Sequence, residues 1–133
     1  MRRLDHIGVV TDHPTRLVEL LVEGLGLTLG QTKELPERGI KVTKVHAENV
    51  TLEIISPLRD DSEVSKFLQK KGPGLHHLCF SSSDVHSDVS EMNARGVRLI
   101  PDSLKPGAEG RPVAFFHPKD FEGILVELEE EEG

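Results

Sequence analysis

The sequence predicts an α+β fold built from two tandem βαβββ modules, and three observations carry that prediction. Residues 4–10 read LDHIGVV and residues 75–81 read LHHLCFS, two strand-like runs that each place a histidine third. A second matched pair follows further along each half: VTLEII at 50–55 and ILVELE at 124–129, each with a glutamate between apolar residues. Between these runs both halves carry one stretch of helical periodicity and turn-forming Pro and Gly in the same order. Self-similarity on this scale is the mark of a duplicated supersecondary unit.

The elements can be justified in turn. Leu4–Val10 is the first strand. Asp12 and Pro14 then open a helix with Leu17, Leu20, Leu21 and Leu25 at helical spacing, closed near Gly24 and Gly26. A short strand at Leu27–Gln31 precedes a Pro- and Gly-containing loop. Lys41–His46 and Val50–Ile55 complete the module, joined by a turn at Glu48-Asn49. Asp60–Lys71 reads as a linking helix: Asp60, Asp61 and Ser62 offer caps, Val64, Phe67 and Leu68 form an apolar stripe, and Gly72-Pro73-Gly74 ends it. The second module repeats the order. Leu75–Ser81 is followed by a helix from Ser83 or Asp84 with Val85, Val89 and Met92, stopped by Gly96. Strands are expected at Val97–Ile100, Pro112–His117 and Ile124–Glu129, with Lys119-Asp120 as a hairpin turn. The reading is one domain over residues 1–133: module one about 3–58, the linking helix about 60–72, and module two about 74–129. Two small mixed sheets with helices on one side follow.

Composition narrows the function classes. At 133 residues, 36% hydrophobic and 29% charged, the chain is ordinary for a globular domain. A formal net charge of −7, much of it in Glu129–Glu132, which reads as a solvated tail, argues against a nucleic-acid partner. No apolar run approaches the roughly 18 residues of a membrane span, and MRRLDHIGVV is broken by Asp5 and His6 before a signal-peptide core can form. The one cysteine, Cys79, permits no internal disulfide and reads as a small buried hydrophobe; a cytoplasmic location is the expectation.

Strand parity sharpens the repeat. Ile7 and Val9 alternate with His6, Leu52 and Ile54 with Glu53, Leu78 and Phe80 with His77, and Val126 and Leu128 with Glu127. If the apolar sets pack on the helices, the four polar residues share the opposite, open face. A strand histidine taken alone is ordinarily structural or solvent-facing, and a strand glutamate ordinarily meets water. Two of each at equivalent places suggest a divalent cation, because an unpaired carboxylate is costly to bury. Two imidazoles and two carboxylates suit Mn²⁺, Co²⁺, Ni²⁺, Zn²⁺ or Mg²⁺ without selecting among them.

These residues resemble the vicinal oxygen chelate (glyoxalase/bleomycin resistance/dioxygenase) superfamily and, within it, the methylmalonyl-CoA epimerase family. The likeness runs through LDHIGVV (4–10), PERGIKV (36–42), TLEIISPL (51–58), KFLQKKGPGLHHLCF (66–80) and PGAEGRPVAFFHPKDFEGILVELE (106–129), nearly the whole chain. The resemblance implies a curved, barrel-like mixed sheet with helices on its outer face, and metal ligation by His6, Glu53, His77 and Glu127, with Co²⁺ the first choice. It picks His77 over the adjacent His76, in agreement with parity. It also implies a catalytic acid/base pair, Glu37 in the PERG turn and Glu127, for epimerisation at C2 of methylmalonyl-CoA through a metal-stabilised enolate, and a homodimer. The residues alone would leave Glu37 as a solvated loop glutamate. Arg38 departs from the Gln or His of many relatives, and Glu122 from their Gly, a change that should alter only a turn. Lys66, Lys70, Lys71, Lys105, Arg111 and Lys119 are candidate contacts for coenzyme A phosphates, although most surface lysines are simply solvated. His13, His46 and His86 read as surface residues, and His117, which ends a strand before Pro118, reads as part of a turn ahead of the alternative that it lines the site.

Two alternatives share the scaffold. A glyoxalase I-type lactoylglutathione lyase would use a similar His-Glu-His-Glu set for related proton-shuttle chemistry. A non-catalytic small-ligand binding module would need none of the four ligands, so their retention counts against it.

Overall fold

The computed structural model describes residues 1–133. The chain forms two compact units, one of His6–His76 and one of Met1–Asp5 with His77–Gly133. The strands are β1 (Leu4–Val10), β2 (Thr28–Leu35), β3 (Ile40–His46), β4 (Thr51–Pro57), β5 (Gly74–Ser82), β6 (Lys105–Pro106), β7 (Pro112–Phe116) and β8 (Val126–Glu130). The helices are α1 (Pro14–Glu19), α2 (Glu63–Lys71) and α3 (Val85–Ala94). The expected βαβββ order is therefore present twice, as β1-α1-β2-β3-β4 and β5-α3-β6-β7-β8. None of the helices is long and apolar enough to cross a membrane.

In the His6–His76 unit the strand order is β2-β3-β4-β1, antiparallel except for the parallel β1–β4 pair. β2 extends well beyond the expected Leu27–Gln31. Its register against β3 slips between Leu29 and Thr32, where Gly30 passes so close to His46 that a Cβ would collide with the imidazole. His46 itself is half-buried and shares a hydrogen bond with Thr51 at 2.9 Å, so it is a structural residue rather than a surface one. α1 is shorter than its sequence pattern. It passes into a π turn at Leu20–Gly24, and none of its residues is fully buried. α2 starts where Ser62 accepts a hydrogen bond from the Ser65 amide (3.1 Å) and ends at Gly72, as expected. Its stripe packs Val64, Phe67 and Leu68 on Val10, Ile40, Val42 and Ile55. These strand residues share the parity of His6 and Glu53, so α2 covers one end of the face the sequence reading left open.

In the other unit the order is β5-β8-β7-β6, with β5 and β8 parallel. Asp84 caps α3 through the Ser87 amide (3.1 Å), and the Glu130 carboxylate takes the amide of Val85 (3.0 Å), so the helix start is satisfied from two sides. Val85 and Val89 pack on Ala114, Phe116, Val126 and Leu128, each such burial contributing roughly 1.5–3 kcal/mol for a full aliphatic side chain. The N-terminal residues belong here too: Ser81 and Arg3 exchange backbone and hydroxyl hydrogen bonds at 3.0 and 3.1 Å, and Arg2 pairs with Asp88 at 2.9 Å.

Three expectations are corrected in this unit. Val97–Ile100 is not a strand. It makes one bridge, Leu99 to Phe116, before Pro101 and a left-handed Asp102 (φ 63°) turn it away, and β6 is only two residues long. Lys119-Asp120 is not a hairpin turn but part of a 3-10 turn at Pro118–Phe121, capped by His117 Nδ1, which accepts from the Lys119 amide at 3.2 Å. That confirms the turn role of His117 and delays β8 to Val126. Glu129 is not tail but buried β8, and only Glu131 and Glu132 beyond it are fully exposed acids.

Candidate active site

Each unit carries one buried imidazole–carboxylate pair, and both are built the same way. In the parallel β1–β4 ladder Glu53 stands opposite Gly8, and His6 lies two residues back on the same face. His6 Nδ1 is 3.3 Å from Glu53 Oε2, with the side chains only 3% and 12% exposed. In the parallel β5–β8 ladder Glu127 stands opposite Cys79, and His77 lies two residues back. His77 Nε2 is 2.9 Å from Glu127 Oε1, with 4% and 8% exposed. Burial of a carboxylate is tolerable only with such a partner. A nitrogen and an oxygen donor held side by side in a dry environment also make half of a cation site.

The duplication is not carried through to the neighbours. On β3, Lys44 stands directly opposite Glu53; on β7, the equivalent position opposite Glu127 is Phe115. Glu53 thus has a cation on its flank and Glu127 an aromatic ring, which also meets His77 edge-on (centroids 5.4 Å apart, interplanar angle 79°). Ser103 fixes Phe115 from behind. Its hydroxyl donates to the Phe115 carbonyl (3.1 Å) and accepts from the Phe115 amide (3.0 Å). The sequence reading missed Lys44, Phe115 and Ser103. The first two depend on cross-strand register, and Ser103 lies in a loop with no period to betray it.

Parity did separate the histidine doublet. His76 turns to α2, where its ring meets Phe67 edge-on at 4.8 Å, while His77 joins Glu127. Cys79 is fully buried, as expected. Glu37 is brought into neither pair: it stands exposed on a 3-10 turn, Pro36–Arg38, that Gly39 closes in the left-handed region (φ 68°). Among the cations considered for coenzyme A, Arg111 is committed to the Glu130 carbonyl (2.8 Å), and Lys71 lies 5.9 Å from the Phe67 ring.

Residues 5–115 match the family model of the Glyoxalase/Bleomycin resistance protein/Dioxygenase superfamily. Mitochondrial methylmalonyl-CoA epimerase of Mus musculus is 36% identical over 129 residues, 96% of this chain and 72% of the relative. The chain belongs to the methylmalonyl-CoA epimerase family. A bacterial member, the ethylmalonyl-CoA/methylmalonyl-CoA epimerase of Cereibacter sphaeroides, is 32% identical over 130 residues, 96% of this chain and 97% of the relative. The epimerase fold is shared as well. A solved methylmalonyl-CoA epimerase in complex with methylmalonyl-CoA and NH4+ superposes with a TM-score of 0.90 at 31% identity, covering 100% of this chain and 96% of that one. The α+β modules read from the sequence are therefore those of the epimerase family.

Proposed function

We propose that the chain epimerises methylmalonyl-CoA, interconverting its (2R) and (2S) forms by removing the C2 proton from one face and returning a proton to the other. The observation that carries this reading is the doubled pair, His6 with Glu53 and His77 with Glu127, in a chain whose relatives over nearly its full length are methylmalonyl-CoA epimerases. The donor set fits a divalent cation: two imidazole nitrogens and two carboxylates, all largely shielded from water. His6, Glu53, His77 and Glu127 would hold it, with Co²⁺ ahead of Mn²⁺, Ni²⁺, Zn²⁺ and Mg²⁺ on the family likeness. When bound, such a cation supplies positive charge for the negative charge that develops on the thioester oxygen as C2 loses its proton.

Two carboxylates handle that proton. Glu37 removes or returns it on one face of C2 and Glu127 on the other, so one becomes protonated as the other gives its proton up. Exchange of the protonated carboxylate with water brings solvent hydrogen to C2. Exposure of Glu37 suits a group that meets substrate arriving from solvent, and Pro36 and Gly39 hold its turn in shape. Both modules contribute to this chemistry, and we treat residues 1–133 as one functional domain, acting in the cytoplasm as a homodimer without nucleic-acid or membrane partners.

The test is incubation of the purified protein with methylmalonyl-CoA in deuterated water. Deuterium should enter C2 as the epimers interconvert. Lactoylglutathione formation from methylglyoxal and glutathione, with no C2 exchange, would overturn the assignment in favour of a glyoxalase I-type lyase.

A further inference from the structure

We propose that Arg59 is a positioning residue for the turn that carries Glu37. Arg59 follows β4 and lies 23 residues from the turn, yet its Nη1 donates a hydrogen bond to the Pro36 carbonyl at 2.5 Å. That carbonyl belongs to the Pro36–Glu37 peptide, so the contact restrains the plane from which the Glu37 backbone departs. The same carbonyl accepts from the Gly39 amide at 3.0 Å, closing the turn.

The guanidinium is itself held. Its Nε donates to Asp61 Oδ1 at 2.7 Å, and the Arg59 carbonyl accepts from the buried Ser65 hydroxyl at 2.7 Å. Gly39 completes the clamp. A Cβ there would lie 2.8 Å from Arg59 Cζ and 3.0 Å from the Ser62 Cβ, and φ is +68°, so only glycine lets the turn close down on the guanidinium. The Leu58 amide meets the Gly39 carbonyl at 2.8 Å on the other side. An exposed Arg–Asp pair contributes little stability by itself. A guanidinium spread over one carboxylate and one turn carbonyl instead acts as a strut, tying the Glu37 turn to the start of α2. The gain is in orientation: a base held in its attacking geometry spares the entropy of finding it.

This inference rests on the reading of Glu37 as an acid/base. The experiment is therefore a cycle of Arg59→Met, Glu37→Gln and the double variant, with Arg59→Lys as the conservative control. Each is assayed for kcat, KM, Tm and C2 deuterium exchange starting from each epimer. Arg59→Met should lower kcat about tenfold with KM and Tm nearly unchanged, and should slow exchange chiefly from one epimer, the one presenting its proton to Glu37. Arg59→Lys, which keeps a donor for Pro36, should recover most of the rate. In the Glu37→Gln background Arg59→Met should add nothing. Wild-type kcat in Arg59→Met, an equal loss from both epimers, or a further loss in the Glu37→Gln background would each overturn the role of Arg59. Full exchange in Glu37→Gln would instead remove the reading of Glu37 itself. Should Arg59→Met lower Tm markedly, Asp61→Ala, which takes away the acceptor of Nε and so loosens the guanidinium that reaches Pro36, makes the same comparison.

Discussion

Glu127 stands directly across from Cys79 in the β5–β8 ladder but pairs diagonally with His77, whose Nε2 is 2.9 Å from its carboxylate. The same diagonal joins Glu53, across from Gly8, to His6 at 3.3 Å. Two parallel ladders with one offset produce two equivalent imidazole–carboxylate pairs, and most consequences below follow from their burial and their different surroundings.

Divalent metal should bind to both pairs. Isothermal titration with Co²⁺ should show one site per chain, and His6→Ala or His77→Ala should each weaken it by more than tenfold. Chelation should abolish C2 exchange and lower Tm, because a ligand that binds only the folded state stabilises it by mass action. Unchanged affinity in either histidine variant would remove that residue from the ligand set.

His77→Ala should also destabilise the metal-free protein, by about 1–3 kcal/mol in chemical denaturation, since the buried Glu127 carboxylate loses the imidazole 2.9 Å from it. Replacing Glu127 by Gln as well should recover part of that loss.

Ser103→Ala should cost about 0.5–1.5 kcal/mol, because the half-buried Phe115 amide and carbonyl both lose their hydroxyl partner. Ser103→Cys should recover less than Ser103→Thr. The readout is the denaturation midpoint, with C2 exchange as a second measure of how well Phe115 supports His77.

Glu122 adopts φ 55° and ψ 36° at the end of the 3-10 turn before β8. A side chain in that region costs about 1–2 kcal/mol, so Glu122→Gly should raise Tm by a few degrees and leave kcat unchanged. A lower Tm would mean that the turn depends on the Glu122 side chain.

Asp88 carries a pH signature in stability. Its hydrogen bond with Arg2 holds its carboxyl below the usual carboxylate range, helped by the Ser82 hydroxyl. The folded state therefore releases that proton more readily than the unfolded chain. The stabilisation is fully present above about pH 4 and is lost as pH falls through the lowered value. With Arg2 largely exposed, it is worth about 0.5–1 kcal/mol. Asp88→Asn should lose that amount at pH 7 and converge with the unaltered protein as pH falls below the lowered value. A gap independent of pH would show that the carboxylate is not the cause.

The alternation of His6, Glu53, His77 and Glu127 against their apolar neighbours was legible because side-chain direction in a strand has a period of two and needs no partner to define it. The same rule separated His77 from His76. Glu129 obeys that alternation too, yet an acidic run at the chain end reads as solvated unless one knows that Val113 of β7 lies across from it. Val97–Ile100 looked like a strand by composition, but Pro101 and left-handed Asp102 interrupt its ladder after one bridge.

By itself, then, the sequence determined the duplicated βαβββ order, the alternation of His6, Glu53, His77 and Glu127 against apolar neighbours, and short lists of capping candidates that include Ser62 for α2 and Asp84 for α3, whereas α1 starts at His13 with no side-chain cap. These are properties of local period and capping chemistry. Tertiary structure alone decided what stands beside each carboxylate: the diagonal histidine, Lys44 opposite Glu53, Phe115 opposite Glu127, and Arg59 under the turn of Glu37. Those neighbours are set by register between strands and by contacts across many residues, where no local pattern repeats and only packing selects the partner.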